Sequence, residues 1–253
     1  QYNSLGAMHG TIMIFLGIVP LAVGAFGNYL VPLQIGAVDM AFPKLNAASY
    51  WSYFVGGVIM MSSFFMPEGA ARSGWTSYPP LSIFENGQTI WLISMIFLIT
   101  SSLLGSMNII VTIVQLRAPG LTWMRLSIFV WAQFVTSFLL VLAFPPLEAA
   151  AILQLMDRVA GTSFFLPSGL VLSGEIVDVA GYGSPLLWQH LFWFLAHPEV
   201  YVLILPALGI VGEILANNTR KPIWGFKSVV YSMIFLGFCS FIVWAHHMFL
   251  TGM

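Results

Sequence analysis

Six long apolar stretches run through this chain of 253 residues and decide its fold class. A membrane-spanning helix needs about 20 mainly apolar residues, and each stretch reaches that length. Only 7% of the residues are charged, whereas a soluble domain has about 25%. The predicted spans are residues 6–31, 47–66, 88–116, 122–150, 186–214 and 226–250. The sequence therefore predicts an all-α fold, a polytopic transmembrane helix bundle that forms a single membrane-embedded domain over residues 1–253.

Basic residues between the predicted spans collect on one side of the membrane. When successive loops alternate across the bilayer, six cations fall on one side and two on the other. This bias marks the six-cation side as cytoplasmic, or as its organellar equivalent. The six are Lys44, Arg117, Arg125, Arg220, Lys221 and Lys227, and the two are Arg72 and Arg158. The acidic residues predicted on the outer side are Glu68, Glu85, Glu148, Asp157, Glu175 and Asp178. The net charge of −1 offers no basic surface to a nucleic acid, so no such partner is expected.

The two ends of the chain predict that it is a piece of a longer protein. It opens on Gln1 without an initiator methionine, and it ends on Met253 directly after an apolar run. Its first span would run from outside to inside, which fits a lost preceding helix.

The fifth span carries ionisable side chains in an otherwise apolar run. It reads LLWQHLFWFLAHPEVYVLILPALGIVGEIL and holds His190, His197, Glu199 and Tyr201. A charge at the centre of a bilayer costs at least about 2.5 kcal/mol on insertion scales, so such groups are functional candidates. His197 and Tyr201 are four residues apart and share one helical face. The alternative is that these groups only make hydrogen bonds that pack helices together.

A histidine pair lies near the end of the sixth span. His246 and His247 stand in FIVWAHHMFLTGM, in the outer half of the membrane, which is also the predicted depth of His197. Three imidazoles without a thiolate suit copper or zinc, and copper is favoured by the order of divalent-metal affinities. Taken alone, two histidines at the end of a span are explained at least as well by a position at the membrane–water interface. Because the depths agree, the sequence predicts a redox-metal site shared by the two spans.

His9 is a candidate haem ligand near the outer end of the first span. Gly6 and Gly10 flank it in AMHGTIMIFLGIVP. Small residues there would let a flat macrocycle approach the backbone, as an axial ligand requires. A single histidine near a membrane interface is explained equally well as a satisfied polar group.

Polar residues at intermediate depths suggest a route for protons. Asp39 lies at the inner side, and Glu199 is the one carboxyl predicted deep in the membrane. Ser101, Ser102 and Asn108 on the third span fall between them. Hydroxyl and amide groups of this kind can hold ordered water that relays protons. Helix packing explains each serine equally well.

Several motifs resemble those of subunit I of the haem–copper oxidases, and in particular of the mitochondrial-like cytochrome c oxidases. They are HPEVY at 197–201, WAHHM at 244–248, MHGTIMIF at 8–15, GNYLVPLQIGAVDMAFPKLN at 27–46, GWTSYPPLS at 74–82, SSLLGSMNIIVTIVQLRAPG at 101–120 and KPIWGF at 221–226. The resemblance covers essentially the whole chain. It implies that these residues form the second to seventh of twelve helices.

The resemblance also implies a set of site residues. His197, His246 and His247 would bind the copper ion called CuB, and Tyr201 would be joined covalently to the His197 ring. His9 would be one axial ligand of a low-spin haem, and the ligand of a high-spin haem would lie outside this segment. The tryptophans matched near the active site are Trp75 and Trp193. The matched proton-channel residues are Asp39, Asn28, Asn46, Ser101, Ser102 and Glu199. His190 is not a metal ligand in the family, so we expect it to pack between helices.

The function implied by the resemblance is oxygen reduction to water coupled to proton pumping. Cytochrome c would donate the electrons, subunit II and other oxidase subunits would be partners, and a bacterial cytoplasmic membrane is favoured over the mitochondrial inner membrane. A quinol-oxidising member of the family is an alternative, although Gln1 and Ser4 do not match its quinone-site residues. A nitric oxide reductase is disfavoured by Tyr201. A proton or cation conductor without cofactors would use Glu199 and Asp39 and leave the histidines without metal.

Overall fold

Long helices make up most of the computed structural model, which describes residues 2–67, 69–178 and 181–252. The α-helices are α1 (Tyr2–Thr11), α2 (Phe26–Ile35), α3 (Pro43–Ser62), α4 (Leu81–Phe84), α5 (Gln88–Gln115), α6 (Ile128–Val159), α7 (Pro185–Thr219) and α8 (Phe226–Ser240). The π-helical segments are Ile12–Ile18 and Pro20–Ala25, and the 3-10 segments are Ser63–Phe65, Trp123–Arg125 and Trp244–Thr251. Two short strands, β1 (Val171–Leu172) and β2 (Glu175–Ile176), form an antiparallel hairpin. The predicted all-α bundle is confirmed.

Five helical stretches of the described residues are long and apolar enough to cross a membrane, whereas the sequence predicted six. They are Tyr2–Ile35, Gln88–Gln115, Ile128–Val159, Pro185–Thr219 and Phe226–Thr251. The predicted span at 47–66 does form a helix, α3, and its 20 residues reach about 30 Å at 1.5 Å per residue. Its first half contains Lys44, Asn46 and several serines and tyrosines, and these polar groups lower its mean hydropathy below that of the other five.

The first span changes its helical geometry at mid-length. Two π-helical segments, Ile12–Ile18 and Pro20–Ala25, connect α1 to α2. Pro20 has no amide hydrogen to donate, and such breaks in the regular bonding pattern are common in π-helical turns. Side chains bond two carbonyls of this segment: Asn28 Nδ2 donates to Gly24 O at 2.6 Å, and Gln133 Nε2 donates to Ala22 O at 2.8 Å.

The fourth predicted span, at 122–150, is displaced in the structure, where α6 begins at Ile128 and ends at Val159. Two side chains fix its beginning: the Ser127 hydroxyl accepts a hydrogen bond from Val130 N at 3.1 Å, and a carboxylate oxygen of Glu213 accepts one from Ile128 N at 2.8 Å. These acceptors satisfy amide groups that no helix can bond internally at its first turn.

The longer α6 corrects the predicted position of Glu148. The sequence placed this carboxyl on the outer side, at the end of the predicted span 122–150, but it lies well inside α6 and is half-buried. Its Oε1 accepts a hydrogen bond from Thr100 Oγ1 on α5 at 2.7 Å. Pro145 and Pro146 precede it without ending the helix.

Helices α6 and α7 pack closely because glycine occupies a contact position. A Cβ atom at Gly209 would lie 2.9 Å from both Ala132 Cβ and Phe129 Cα, which is too close for any larger residue. At the same end of the pair, Glu213 reaches the first turn of α6. Helix α7 therefore runs antiparallel to α6, with Glu213 level with Ile128 and Gly209 level with Ala132.

The sixth predicted span is not one continuous α-helix. Helix α8 ends at Ser240, a turn follows, and the histidine pair lies in the 3-10 segment Trp244–Thr251. Met248 has non-helical backbone angles inside that segment. Short 3-10 segments are frequent at the ends of α-helices and as connectors.

The loop after α6 is anchored by one buried carboxylate. Asp157 accepts hydrogen bonds from Thr162 Oγ1 at 2.6 Å, from Phe164 N at 2.8 Å and from Phe165 N at 2.9 Å. Phe165 is fully buried and meets Trp188 edge-on, with ring centroids 5.6 Å apart. The start of this loop is therefore part of the packed protein, whereas the β1–β2 hairpin that follows is largely exposed.

Replacing Asp157 with alanine should destabilise the protein by about 3 kcal/mol, because hydrogen bonds to a charged group contribute about 1.5–3 kcal/mol each and the buried amide of Phe165 loses its acceptor. The midpoint of thermal unfolding of the full-length protein in its complex measures this loss. Asp178→Ala, which removes an exposed carboxylate of the same loop, is the matched control and should leave the midpoint unchanged. Equal midpoints for the two variants would contradict the prediction.

Candidate metal centre

Three histidines from two chain segments converge at one point of the bundle. His197 Nδ1 lies 3.2 Å from His247 Nε2, and His246 Nε2 lies 3.0 Å from the same atom. His197 is 5% exposed, whereas His246 lies at the surface of the described bundle. Among the described residues, this is the one group of three or more histidine, cysteine or acidic side chains whose ligand atoms lie within 4.8 Å of one another.

The spacing of these nitrogens fits a single metal ion. Two nitrogens at typical metal–imidazole distances of about 2.0–2.1 Å, separated by about 90–110° at the metal, lie about 2.8–3.4 Å from each other. Both measured distances, 3.0 and 3.2 Å, fall in that range. Three imidazole donors in an apolar surrounding suit copper or zinc. The residues present therefore fit a bound transition metal.

The rings of two neighbouring histidines meet in the segment that follows α8. On a regular α-helix, adjacent side chains diverge by about 100°. In the segment Trp244–Thr251, both Nε2 atoms nevertheless meet at 3.0 Å, with ring centroids 4.2 Å apart. Convergence depends on side-chain rotation within this segment, which the sequence alone did not predict.

Aromatic side chains hold the ligand rings in place. Trp193 stacks on His247 with ring centroids 3.9 Å apart and planes inclined by 7°. The indole of Trp193 donates a hydrogen bond to the Tyr78 hydroxyl and meets Trp75 edge-on at 6.1 Å. Burial raises the pKa of the Tyr78 phenol above its ordinary value, although the Trp193 hydrogen bond opposes this effect. The phenol therefore stays protonated near neutral pH and can donate its own hydrogen.

Tyr201 and Glu199 lie beside the cluster on α7. The ring centroids of His197 and Tyr201 are 5.0 Å apart, as their i, i+4 spacing predicts. His197 Nε2 is buried and has no hydrogen-bond partner among the described residues. Glu199 is 2% exposed, and neither of its carboxyl oxygens has a partner within the described part of the chain. A buried carboxyl without a partner costs folding free energy, which marks Glu199 as a functional candidate.

His9 and His190 do not join the cluster. His9 is exposed on α1. The flanking glycines do not both face a free surface, since a Cβ at Gly10 would lie 3.1 Å from Trp75, whereas one at Gly6 would meet nothing within 4 Å. Gly10 therefore packs against Trp75, and the role of His9 as a haem ligand stays a prediction. His190 Nδ1 accepts a hydrogen bond from Trp244 Nε1 at 3.3 Å, which is a packing contact.

A cavity of about 870 Å³ lies on the inner side of the bundle. The predicted channel residues that line it are Asn28, Asp39, Asn46, Ser101 and Ser102. Glu199 is not among the lining residues. Asn108 is also absent from the lining, since its amide bonds both the N–H and the carbonyl of Phe42, at 2.9 and 3.2 Å. The structure therefore brings five of the predicted polar residues to one cavity and assigns Asn108 to loop anchoring.

Two buried polar residues of α6 were not predicted from the sequence. Gln133 and Thr136 are both fully buried, and Gln133 Oε1 and Thr136 Oγ1 have no hydrogen-bond partner among the described residues. They stand in the apolar run IFVWAQFVTSF. Polar groups inside hydrocarbon are candidates for function, and this rule identified Glu199. Applied to α6, the same rule would have identified Gln133 as a candidate as well.

Comparison with known proteins gives matches along the entire chain. Residues 1–253 match the family described as Cytochrome C and Quinol oxidase polypeptide I. Cytochrome c oxidase subunit 1 of Synechocystis sp. is 46% identical over 254 residues, which cover 100% of this chain and 43% of that protein. Alternative cytochrome c oxidase subunit 1 of Bradyrhizobium diazoefficiens is 44% identical over 259 residues, with 100% and 44% covered. Cytochrome c oxidase subunit 1 of Cereibacter sphaeroides is 43% identical over 260 residues, again with 100% and 44% covered.

The chain spans less than half the length of each of these relatives. The resemblance found in the motifs is confirmed by a match that covers every residue. Together with the five apolar helices, the match shows an integral membrane protein of a respiratory oxidase family that carries haem and copper. The chain therefore belongs to the cytochrome c and quinol oxidase polypeptide I family.

Proposed function

We propose that this chain forms the copper-binding part of the catalytic subunit of a respiratory terminal oxidase. The enzyme would reduce one oxygen molecule with four electrons and four protons to two water molecules and would couple this reaction to proton pumping. The observation that carries the proposal is the convergence of three imidazole nitrogens from α7 and Trp244–Thr251, 3.0 and 3.2 Å apart. Relatives named cytochrome c oxidase subunit 1 support the choice of reaction.

The residues that would hold CuB are His197, through Nδ1, and His246 and His247, through Nε2. Copper bound there, together with a high-spin haem iron whose ligand lies outside this segment, would supply the oxygen-binding site and redox electrons. Trp193 keeps the His247 ring in one orientation by stacking on it. His9 is exposed on α1 and would be one axial ligand of the low-spin haem. Trp75 lies next to Trp193 and would border the same centre.

Tyr201 would give one electron and one proton to oxygen when the O–O bond breaks. Its ring lies 5.0 Å from that of His197, between centroids, and His197 Nε2 has no other partner among the described residues. This nitrogen is therefore available for the covalent bond to Tyr201 that the family resemblance implies. A phenol fixed beside the oxygen site does not have to diffuse or reorient before it donates.

Glu199 would deliver protons to the centre. It lies two residues after His197 in sequence and is buried without a partner, so it has the position of a proton donor on the inner side of the cluster. Asp39, Asn28, Asn46, Ser101 and Ser102 share one cavity, which would collect protons from the cytoplasmic side. Ordered water in a polar cavity can carry protons over distances that one side chain cannot reach.

Cytochrome c is the proposed electron donor, and subunit II and other oxidase subunits are the proposed partners. Relatives from three bacteria carry the name cytochrome c oxidase, which also supports a bacterial cytoplasmic membrane. A proton or cation conductor without cofactors would give no role to three histidines that meet at metal-ligand distances.

The test of this function uses the full-length subunit assembled with its partner subunits. We expect the complex to consume oxygen with reduced cytochrome c, to release protons on the outer side of sealed vesicles, and to contain copper in addition to haem. A complex that contains haem but lacks copper at this site would contradict the metal assignment. Oxygen consumption with a quinol and none with cytochrome c would contradict the donor.

A further inference from the structure

The loop GWTSY, residues 74–78, forms the wall behind the His247 ring. Trp193 stacks on that ring, and its indole donates a hydrogen bond to the Tyr78 hydroxyl. Trp75, near the other end of the loop, meets Trp193 edge-on with ring centroids 6.1 Å apart. Tyr78 and His247 also line one cavity of about 460 Å³. The position of this loop therefore affects the position of Trp193 and, through it, that of His247.

The backbone of this loop needs support from outside it. Ser77 has a φ of +49°, in the left-handed region that few residues other than glycine adopt. Such a conformation costs free energy and persists only where the surrounding structure over-determines it. Within the loop, Ser77 N and Ser77 Oγ both donate to Gly74 O, at 3.2 and 3.3 Å. Both distances are long for hydrogen bonds, so these two contacts alone hold the turn weakly.

Two buried side chains bind neighbouring carbonyls of the loop from two different helices. Gln154 on α6 donates from Nε2 to Ser77 O at 3.1 Å. Trp188 on α7 donates from Nε1 to Thr76 O at 2.9 Å. Both side chains are 0% exposed. The carbonyl that directly precedes Tyr78 is therefore the one that Gln154 holds.

The amide of Gln154 is fixed in one orientation. Its Nε2 also donates to Ser82 Oγ at 2.9 Å, and its Oε1 accepts a hydrogen bond from Gln88 Nε2 at 3.2 Å. Both amide hydrogens and the amide oxygen are thus used. A glutamine buried in an apolar helix is stable only when it is hydrogen-bonded. Every side-chain bond of Gln154 goes to residues 77–88, the segment that presents Tyr78.

We propose that Gln154 is a positioning residue for the copper ligand His247. By holding Ser77 O, Gln154 fixes the turn that places Tyr78. Tyr78 holds the indole of Trp193, and Trp193 keeps the ring of His247 in the orientation in which it binds the metal. A ligand that is already oriented loses less conformational freedom on binding, so the metal is held more tightly. The inference rests on the proposed function, in which His247 binds copper.

The test replaces the amide of Gln154 without shortening the side chain. Gln154→Met keeps an unbranched chain of similar length and removes the hydrogen bond to Ser77 O. The whole oxidase complex is mixed with an excess of copper chelator, and the copper left on the protein is measured over time. Loss of a residue that orients a metal ligand costs about 10–100-fold in affinity. Because Gln154 acts through other residues, we expect the lower end, about tenfold faster copper release.

Gln133→Met is the matched control. Gln133 lies on the same helix, is equally buried, and also donates from Nε2 to a backbone carbonyl, that of Ala22 at 2.8 Å in the first span. The control variant should lose stability but release copper at the wild-type rate. Equal acceleration in both variants, or wild-type release in Gln154→Met, would overturn the inference. Gln154→Asn, whose amide is one methylene too short to keep the bond to Ser77 O, replaces the methionine variant if that one does not assemble.

A double-mutant cycle tests the path of the effect. Trp193→Phe removes the indole that connects Tyr78 to His247, so it should speed copper release by itself. Adding Gln154→Met to this variant should then cause little further acceleration, because the two residues act in series. Accelerations that multiply would show that Gln154 acts independently of Trp193 and would contradict the proposal.

A structure of the Gln154→Met complex by electron cryo-microscopy gives a readout that does not depend on copper. We expect the hydrogen bond between Tyr78 and Trp193 to be lost and Trp193 to leave its stacked position on His247. Unchanged contacts among these three residues would rule out a positioning role for Gln154. Failure of the proposed function would be seen separately, as a wild-type complex without copper.

Discussion

His197→Ala should remove copper from the full-length oxidase and stop oxygen consumption. His197 is the buried member of the cluster, and its Nδ1 lies 3.2 Å from His247 Nε2. Replacing a residue that merely orients a metal ligand already costs about 10–100-fold in affinity or activity, so the loss of a direct ligand should exceed a hundredfold. Metal analysis of the purified complex and an oxygen electrode measure the two effects.

His190→Gln is the matched control for the histidine variant. His190 lies on the same helix, but its Nδ1 accepts a hydrogen bond from Trp244 Nε1 at 3.3 Å and it takes no part in the cluster. Glutamine keeps a hydrogen-bond acceptor there, so copper content and oxygen consumption should stay near those of the wild type. Full copper occupancy in His197→Ala would show that the three nitrogens do not form the metal site.

Glu199→Gln should nearly stop turnover while copper and haem remain bound. Glutamine has almost the same shape as glutamic acid but cannot release and regain a proton. A positioned proton donor contributes about 10²–10⁴-fold to a rate, and we expect a loss of that order. Because neither oxygen of Glu199 has a hydrogen-bond partner among the described residues, the substitution breaks no contact that holds the fold.

The chain offers a second carboxyl inside the membrane as the control for this variant. Glu148 is half-buried on α6 and accepts a hydrogen bond from Thr100 Oγ1 at 2.7 Å. Glutamine can accept the same bond, so Glu148→Gln should retain turnover. Oxygen consumption and the haem spectrum are measured together. If Glu199→Gln consumes oxygen as fast as the wild type and keeps an intact haem spectrum, Glu199 is not the proton donor.

The helices could be predicted because lipid imposes a length and a composition on each span. The first and last residues of the helices could not be predicted, since they depend on contacts between residues that are distant in sequence. Helix α6 begins at Ile128 because Glu213, on the next long helix, accepts a hydrogen bond from its first amide. The pattern of apolar residues ended the predicted span at residue 150, close after Glu148, whereas α6 continues past two prolines to Val159.

The candidate site was predictable to the extent that it lies in short motifs. His197 and Tyr201 are one helical turn apart, so their proximity follows from the sequence alone. That His246 and His247 meet His197 was an inference from membrane depth and family resemblance, because their convergence depends on side-chain rotation within the segment Trp244–Thr251. Gln133 drew no attention because it is a single amide in an apolar run, and its free oxygen becomes evident only from the helices around it.

The break after α8 places the predicted metal ligands on two kinds of backbone. His197 stands in the middle of a helix of 35 residues, whereas His246 and His247 belong to a 3-10 segment of 8 residues. Hydrogen-bond geometry is poorer in 3-10 turns than in an α-helix. Part of the free energy of metal binding is therefore used to order the residues that bind the metal. A bound metal would then order the backbone of the histidine pair, whereas His197 is already held by a regular helix without the metal.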